Sequence, residues 1–380
     1  MKTVSPWMNA ELNDFRDAVR KFIGQEITPH QERWRAQQHV DRELWNKAGE
    51  LGMLLADIPE EHGGSGGDFR HQSIVFEELS YAGDTAFGIH VHAIVAHYML
   101  NQGTPQQKQR YLPLLASGEM VAAIAMSEPG AGSDLKAIRT SAVREGERYR
   151  LNGSKIFISN GYLADLIVVV ARTGNEAGAK GISLMLVETK SCPGFRVGRI
   201  LDKLGQKGQD TCELFFDDVL IPADAVLGGE EGQGFYQLMT ELPYERTILG
   251  VSGVASIERA LQLTLEHTRQ RKAFGQTLFD MQNTRFTLAE ISTEATIARV
   301  FIDRCISDML EGQMNTERAS MAKYWISDLQ CKVMDQCLQL FGGYGYMLEY
   351  PIAQMYADAR VQRIYGGANE IMKEIIARAL

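Results

Sequence analysis

Between about residues 120 and 226 this 380-residue chain changes texture, and that change limits its fold more than any single motif does. The runs LIVVVART, GISLMLVE and CELFFDDVLIP are short, β-branched or aromatic, and closed by Gly, Asp or Pro, the marks of strands. TSAVREGERYRLNGSKIFIS reads as two strands paired around a Glu-Gly turn. So little sequence separates these runs that an antiparallel barrel or sandwich is expected, not a βαβ array. On both sides the period is helical. ELNDFRDAVRKFIGQEI places Leu12, Phe15, Val19, Phe22 and Ile23 on one stripe, with Pro29 expected as a stop. The loop IPEEHGGSGGD leads to helices over 73–82, 85–101 and 105–117. Further helices are expected over 232–270, 284–310, 316–340, 352–360 and 369–379, several of them long enough for a bundle. The expected division is 1–119, 120–228 and 229–380.

Composition narrows function mainly by exclusion. A net charge of −9 with no Lys/Arg block does not suggest a nucleic-acid or anionic-membrane surface. Apolar runs such as Leu166–Ala171 fall far short of the ~18 residues a spanning helix needs. The start, MKTVSPWMNAELNDF, shows neither signal nor transit peptide, and the five cysteines carry no CxxC pattern. A cytoplasmic protein with reduced thiols and no transmembrane segment is the expectation.

Several stretches carry chemistry. AMSEPGAGSDL lacks the third glycine of a dinucleotide fingerprint and no βαβ unit surrounds it. It is either an ordinary tight turn or a strand end presenting amides, Ser127, Ser133 and Asp134 to a ligand. His90 and His92 would point about 200° apart on a helix, and neither they nor His97 completes a metal set. Arg269, Arg271 and Lys272 precede an expected helix, suited to a phosphate or simply solvated. QLFGGYGYMLEYP has more glycines than a helix-ending loop needs, which would let a ligand or partner approach.

The sharpest residue lies in QLMTELPYERTILG. At 100° per residue Leu238, Leu242, Glu245 and Leu249 share a face, so Glu245 is a carboxylate on an apolar stripe. Such a group is costly unless paired or functional. Arg246 could pair with it, Glu241 one turn earlier competes for any role, and Pro243 should kink the helix. RIYGGANEIMKEI raises a related question: Gly366 and Gly367 interrupt two helical segments, as if the backbone needed φ > 0 or close approach.

AMSEPGAGSDL, SKIFISNG, RQRKAFG, QLFGGYGY and IYGGANEIMKE, in this order and spacing, resemble the acyl-CoA dehydrogenases over essentially the whole chain. ELPYER with IYGGANEIMKE is most like the long-chain branch. The resemblance implies an α+β multidomain fold: an N-terminal all-α domain, a middle antiparallel β-barrel and a C-terminal four-helix bundle. It implies an FAD site in which Ala125, Met126, Ser127, Gly132 and Ser133 line the isoalloxazine with Phe157 and Ser159. Ser127 would contact the pyrimidine and Ser159 would lie near N5. Arg271, Phe274, Gln282, Gln339, Gly342 and Gly343 would hold the adenosine diphosphate half, partly across a subunit interface, which implies a homotetramer. Ala368, Asn369 and Glu370 stand where many members have Thr-Ser-Gln, and Phe157 where tryptophan is common.

Many members carry the catalytic glutamate at the position of Gly366. In the long-chain and isovaleryl-CoA branches it stands at the position matching Glu245, which the resemblance makes the base here. Gly366 would then supply its backbone N–H to the thioester oxygen, with Ser133, Leu242, Arg246 and Gly367 also at the substrate. The implied reaction turns an acyl-CoA, of medium, long or branched chain, into the trans-2-enoyl-CoA, with an electron-transfer flavoprotein as partner. Alternatives are an acyl-CoA oxidase, which the absence of a second helical domain or peroxisomal tail disfavours, and a non-catalytic flavin- or acyl-CoA-binding assembly protein. A member eliminating a group other than hydrogen would not need Glu245.

Overall fold

A computed structural model describes residues 5–174, 178–190 and 192–380, so the first four residues of the N-terminal reading lie outside it. The first stripe forms as its spacing dictates. In α1 (Ala10–Phe22) Leu12 and Val19 are buried, Asn9 caps the start, and Ile23 follows buried. Pro29 does not stop the chain. A π-helical turn (Ile23–Ile27) and a 3₁₀ turn (Thr28–His30) lead into α2 (Gln31–Gln37), with Pro29 early in the 3₁₀ turn. There its missing N–H costs nothing.

Next come α3 (Arg42–Glu50), α4 (Phe69–Tyr81), α5 (Ile89–Gln102) and α6 (Pro105–Ala116). α4 starts earlier than the apolar pattern suggests because Asp68 and His71 form a capping box. α5 starts later because the Asp84 carboxylate accepts the Ala86 and Phe87 N–H groups and holds a turn there. Thr104 and Gln107 cap α6 in the same reciprocal way.

The middle domain is a curled sheet of β1 (Ala122–Ala125), β2 (Ser141–Glu145), β3 (Arg148–Ser159), β4 (Leu166–Arg172), β5 (Ile182–Glu188), β6 (Phe195–Ile200) and β7 (Thr211–Pro222). The order is β1-β4-β2-β3-β7-β6, with β5 also on β4. Pairing is mostly antiparallel, but β1 runs parallel to β4, Ala122 opposite Leu166, because the β2–β3 hairpin intervenes between them in sequence. Leu166–Ala171 is buried throughout, as a strand covered on both faces should be. Two bulges bend β3, at Leu151/Gly153 and Lys155/Ile158.

The C-terminal domain holds α7 (Gly234–Gln270), a two-residue hairpin β8 (Lys272–Ala273) and β9 (Gln276–Thr277), α8 (Gln282–Leu310), α9 (Thr316–Phe341), α10 (Pro351–Ala359) and α11 (Asn369–Arg378). Three long helices pack together, and α10 and α11 lie on α9. Glycine lets α7 come close: a Cβ on Gly250 would sit 2.9 Å from Ile302, and one on Gly253 would sit 2.7 Å from Ile326.

By length and composition alone α7 could cross a membrane, yet 56% of that stretch is buried inside the protein. The helix runs unbroken through Pro243, with Thr247 Oγ1 donating to the Pro243 carbonyl at 2.7 Å. Met239, whose carbonyl loses its usual helical partner there, is exposed. Buried Arg299 on α8 joins the helical domains through Glu258 of α7 (2.9 and 3.0 Å) and Glu77 of α4.

Candidate active site

Two carboxylates on consecutive turns of α7 face α5, and the structure separates them where periodicity does not. Glu241 is buried and accepts Asn101 Nδ2 and Gln102 Nε2, one on each oxygen, both at 2.9 Å. Glu245 is also buried, and accepts the Tyr98 hydroxyl on Oε1 at 2.7 Å. Burial drives the Glu245 pKa up to about 7; the Tyr98 bond and the Arg246 charge oppose this, and the Glu241 charge adds to it. The phenol of Tyr98 is pushed up by burial and by the Glu245 charge.

Arg246 does not neutralise Glu245 as an ion-pair partner. Among the described residues no ion pair within 4 Å joins the two side chains; Arg246 instead donates Nη1 to Ser320 Oγ at 3.2 Å. Its Nε is buried without a partner. The stripe expected around Glu245 is only partly apolar-in: Leu238 is buried, while Leu242 and Leu249 are half-buried.

The glycine loop packs on the same stretch of helix. Gly366 (φ +64°) and Gly367 (φ +97°) both occupy the left-handed region. A Cβ on Gly366 would lie 2.5 Å from Leu249 Cδ1, and one on Gly367 would lie 3.9 Å from Arg246 Nη2. The loop therefore needs glycine twice over, for its backbone and for its approach to α7.

The candidate cofactor residues fall into two groups. The first is built on the sheet. Ala125 ends β1 buried, Met126 and Ser127 are half-buried, and Gly132 and Ser133 are exposed. The Ile156 N–H donates to Ser127 O at 3.0 Å and so joins this loop to β3. Lys155 Nζ holds the Met126 carbonyl at 3.1 Å and Glu128 at 2.8 Å, while Glu128 accepts the Arg139 and Thr140 N–H groups. Burial lowers the Lys155 ammonium to about 8, against the pull of Glu128. Phe157 sits in the second β3 bulge at φ +61° and is 66% exposed. An aromatic held strained and uncovered is an observation that asks for a ligand or partner. Ser159 lies 3.5 Å from the Thr211 hydroxyl.

The second group lies beyond α7. Arg269, Arg271 and Lys272 mark the C-terminal end of α7, not the start of a helix: Arg271 is its C-cap and Lys272 begins the hairpin. Arg271 stacks over Tyr344 at 5.3 Å, which ties it to the Gly342–Tyr346 3₁₀ turn. Phe274 stands at the hairpin tip at φ +53° beside Gly275 at +82°, and is 96% exposed. Gln282, Gln339, Gly342 and Gly343 are exposed too. A Cβ at Gly132, Gly342 or Gly343 would meet nothing within 4 Å, so each faces open space. Among the described residues no hydrogen bond or ring contact joins this group to the first.

Asn369, grouped by sequence with the cofactor residues, turns inward. Its amide donates to Tyr324 O, Ser327 Oγ and Asp328 Oδ1, and its oxygen accepts Lys323 Nζ at 2.8 Å. Those bonds leave its side chain nothing to offer a cofactor. Ala368 is the N-cap of α11 without a side-chain bond, and Glu370 is exposed in the first turn. The three histidines are held separately: His90 by Ser252 Oγ, His92 by Leu115 O, His97 by Asp57.

Tyr98 and Lys323 are what the sequence reading missed. Each is a polar end on an apolar helix, HVHAIVAHYML and RASMAKYWI, the signal that singled out Glu245.

The chain belongs to the acyl-CoA dehydrogenase family: the N-terminal domain family matches residues 9–119, the middle domain 123–219 and the C-terminal domain 232–380. It is thus an oxidoreductase of a flavoprotein class. It is 49% identical to the mitochondrial long-chain specific acyl-CoA dehydrogenase of Rattus norvegicus, over 98% of this chain and 87% of that protein. An acyl-CoA dehydrogenase structure from Geobacillus kaustophilus superposes with a TM-score of 0.96 at 44% identity, covering 99% of each chain. Butyryl-CoA dehydrogenase from Megasphaera elsdenii gives 0.93 at 33%, covering 100% of this chain and 99% of the other.

Proposed function

We propose that the protein catalyses FAD-dependent α,β-dehydrogenation of medium-to-long or branched acyl-CoA to the trans-2-enoyl-CoA, with Glu245 as the base. The observation that carries this is Glu245 itself: buried, bonded among the described residues only by a phenol, raised to about 7, and on the helix against which the Gly366–Gly367 loop packs. A base is most useful when its pKa lies near the working pH. Its burial supplies that, while Glu241, with a donor on each oxygen, has the environment of a structural carboxylate.

The chain's own part is acid–base and positional. Glu245 takes the α-proton, and the Gly366 N–H donates to the thioester oxygen as negative charge develops there. Arg246 and Gly367 stand at the same oxygen side, and Leu242 offers apolar surface to the acyl chain. Ala125–Ser127, Gly132, Ser133, Phe157 and Ser159 suit the flavin ring, and Arg271, Phe274, Gln282, Gln339, Gly342 and Gly343 suit the adenosine diphosphate half. Ala368 and Glu370 offer only backbone and an exposed carboxylate to that site. When bound, FAD supplies the acceptor for the β-hydrogen, and an electron-transfer flavoprotein is the proposed onward carrier. A homotetramer is proposed because exposed Phe274 and the glycines of the second group await cover. We place the enzyme in the cytoplasm, with domains at 1–119, 120–228 and 229–380.

Anaerobic titration with a panel of acyl-CoAs tests the reading. Bleaching of the flavin absorbance by longer or methyl-branched substrates, ahead of butyryl-CoA, is expected. Bleaching by none would sink it. Turnover with oxygen equal to that with an artificial acceptor would replace dehydrogenase by oxidase.

A further inference from the structure

Two buried cations meet at the Gly366–Gly367 loop, and neither has a carboxylate within ion-pair distance among the described residues. One is Arg246, bonded among the described residues only to Ser320. The other is Lys323 on α9, 1% exposed, whose Nζ donates to the Gly367 carbonyl at 2.6 Å and to Asn369 Oδ1 at 2.8 Å. Its Cε lies 3.9 Å from where a Cβ on Gly366 would be. A buried ammonium satisfied by neutral acceptors alone is costly. The fold nevertheless secures it, since Asn369 is itself locked by Ser327, Asp328 and the Tyr324 carbonyl.

The loop explains why such an anchor is needed. Two successive glycines at positive φ have many other conformations open to them, and neither has a side chain of its own to fix it. The N–H of Gly366 can stabilise charge on a substrate oxygen only if its direction is fixed before the reaction. Lys323 grips the Gly367 carbonyl, one residue beyond that N–H.

We propose that Lys323 is a positioning residue: its ammonium pins the Gly367 carbonyl, thereby aims the Gly366 N–H at the thioester oxygen, and adds positive potential on that side. This rests on the dehydrogenase reading above. Lys323 exchanges no proton; the α-proton goes to Glu245 and the C–H electron pair moves toward the thioester oxygen. The charged groups facing Lys323 are Arg246 of α7, Asp328 of its own helix and Glu370 of α11. Asp328 is already bridged to Arg363 at 2.6 Å and Lys373 at 3.8 Å. Burial first, then Arg246, lowers the ammonium to about 8, against Asp328 and Glu370. The ammonium predominates below about pH 8, and above it the charge, and with it the strength of the grip and the positive potential, falls away progressively.

The experiment compares wild-type holoenzyme with Lys323→Met and Lys323→Arg by anaerobic stopped-flow bleaching across pH 6–10. Lys323→Met should slow bleaching about 10- to 100-fold at pH 7, a part of what losing an oxyanion donor costs. Half-saturating acyl-CoA and flavin content should stay within about threefold of wild type. Lys323→Arg should recover most of the rate and abolish the alkaline decline that wild type shows above about pH 8. A Lys323→Met enzyme that matches wild type, or whose loss lies wholly in half-saturation, overturns the assignment. If Lys323→Met does not fold, the pH profiles decide: a flat wild-type rate, or an unchanged decline in Lys323→Arg, overturns it. A wild-type flavin that no acyl-CoA bleaches overturns the dehydrogenase reading, and this assignment with it.

Discussion

One helical turn separates Glu241 from Glu245, and the same two helices hold both, yet in opposite ways. Around Glu241 α5 presents two amide donors, so both carboxylate oxygens are satisfied. Around Glu245 it presents one phenol, and burial wins. The lesson is that two buried carboxylates can differ in how many donors they find, and that the one with few is the candidate for reactivity. On the proposed function, the first turn serves stability and the second reactivity.

The largest break in this comparison should come from Glu245→Gln. Losing a positioned base costs about 10²–10⁴-fold or more in kcat, with flavin content and acyl-CoA binding retained. Stability should move the other way. The folded pKa of Glu245 lies above its ordinary 4.5, so the folded state binds this proton more tightly than the unfolded chain. Its contribution is full at low pH and lost as pH rises from about 4.5 through 7, roughly 3 kcal/mol in all by linkage. Glu245→Gln should therefore melt above wild type at pH 8, with the gap closing toward pH 5. A lower Tm at pH 8 would contradict the raised pKa.

Next in size is recovery of activity in Glu245→Gln with Gly366→Glu, about tenfold out of the loss above. The new side chain must push Leu249 Cδ1 from 2.5 Å and sit at φ +64°, about 1–2 kcal/mol of backbone strain. Adding Leu249→Ala should raise the recovered rate further. If it lowers the rate, the obstacle is not Leu249.

A smaller effect is expected from Tyr98→Phe. It removes the bond that holds the Glu245 pKa down, so the acid limb of the kcat profile should shift upward from about pH 7. Rates below pH 7 should fall severalfold while those at pH 9 barely change; an unmoved limb would detach Tyr98 from the base.

Smallest in activity is Glu241→Gln, within about threefold of wild type. Its new amide would face a donor from Asn101 or Gln102, leaving buried donors opposed at about 1–3 kcal/mol. It should lower Tm and spare kcat. Loss of kcat comparable to that of Glu245→Gln would erase the distinction between the two turns.

The fold was legible where periodicity is strong, and α7, α8 and α9 lie within two residues of the expected bounds. Local hydrogen bonds moved the other ends, as with Asp84 before α5 and Asp68 before α4. Pro29 misled because a proline stops a helix only where its N–H is required, and a 3₁₀ turn made it harmless. The parallel β1–β4 pair was hidden because strand runs carry no record of their partners. At the site, Glu245 stood out as a charge on an apolar stripe. Arg246 seemed its natural partner by adjacency, but neighbours along a helix point about 100° apart, and Arg246 found Ser320 instead. Lys323 was open to the same reasoning as Glu245. Asn369 was not, since its partners on α9 lie more than forty positions away.

The three matched segments are units of sequence, but α7 makes them poor units for dissection. At 37 residues it is about 55 Å long, and it packs on α4 and α5 of the first domain, β5 of the second, and α8 and α9 of its own. A fragment ending near residue 228 would leave the α4 and α5 faces bare, and with them Glu77 without its arginine. Limited proteolysis should accordingly yield nicked, still-associated enzyme, not separable pieces. Trimming this protein for expression would be expected to produce aggregates wherever the cut removes that rod.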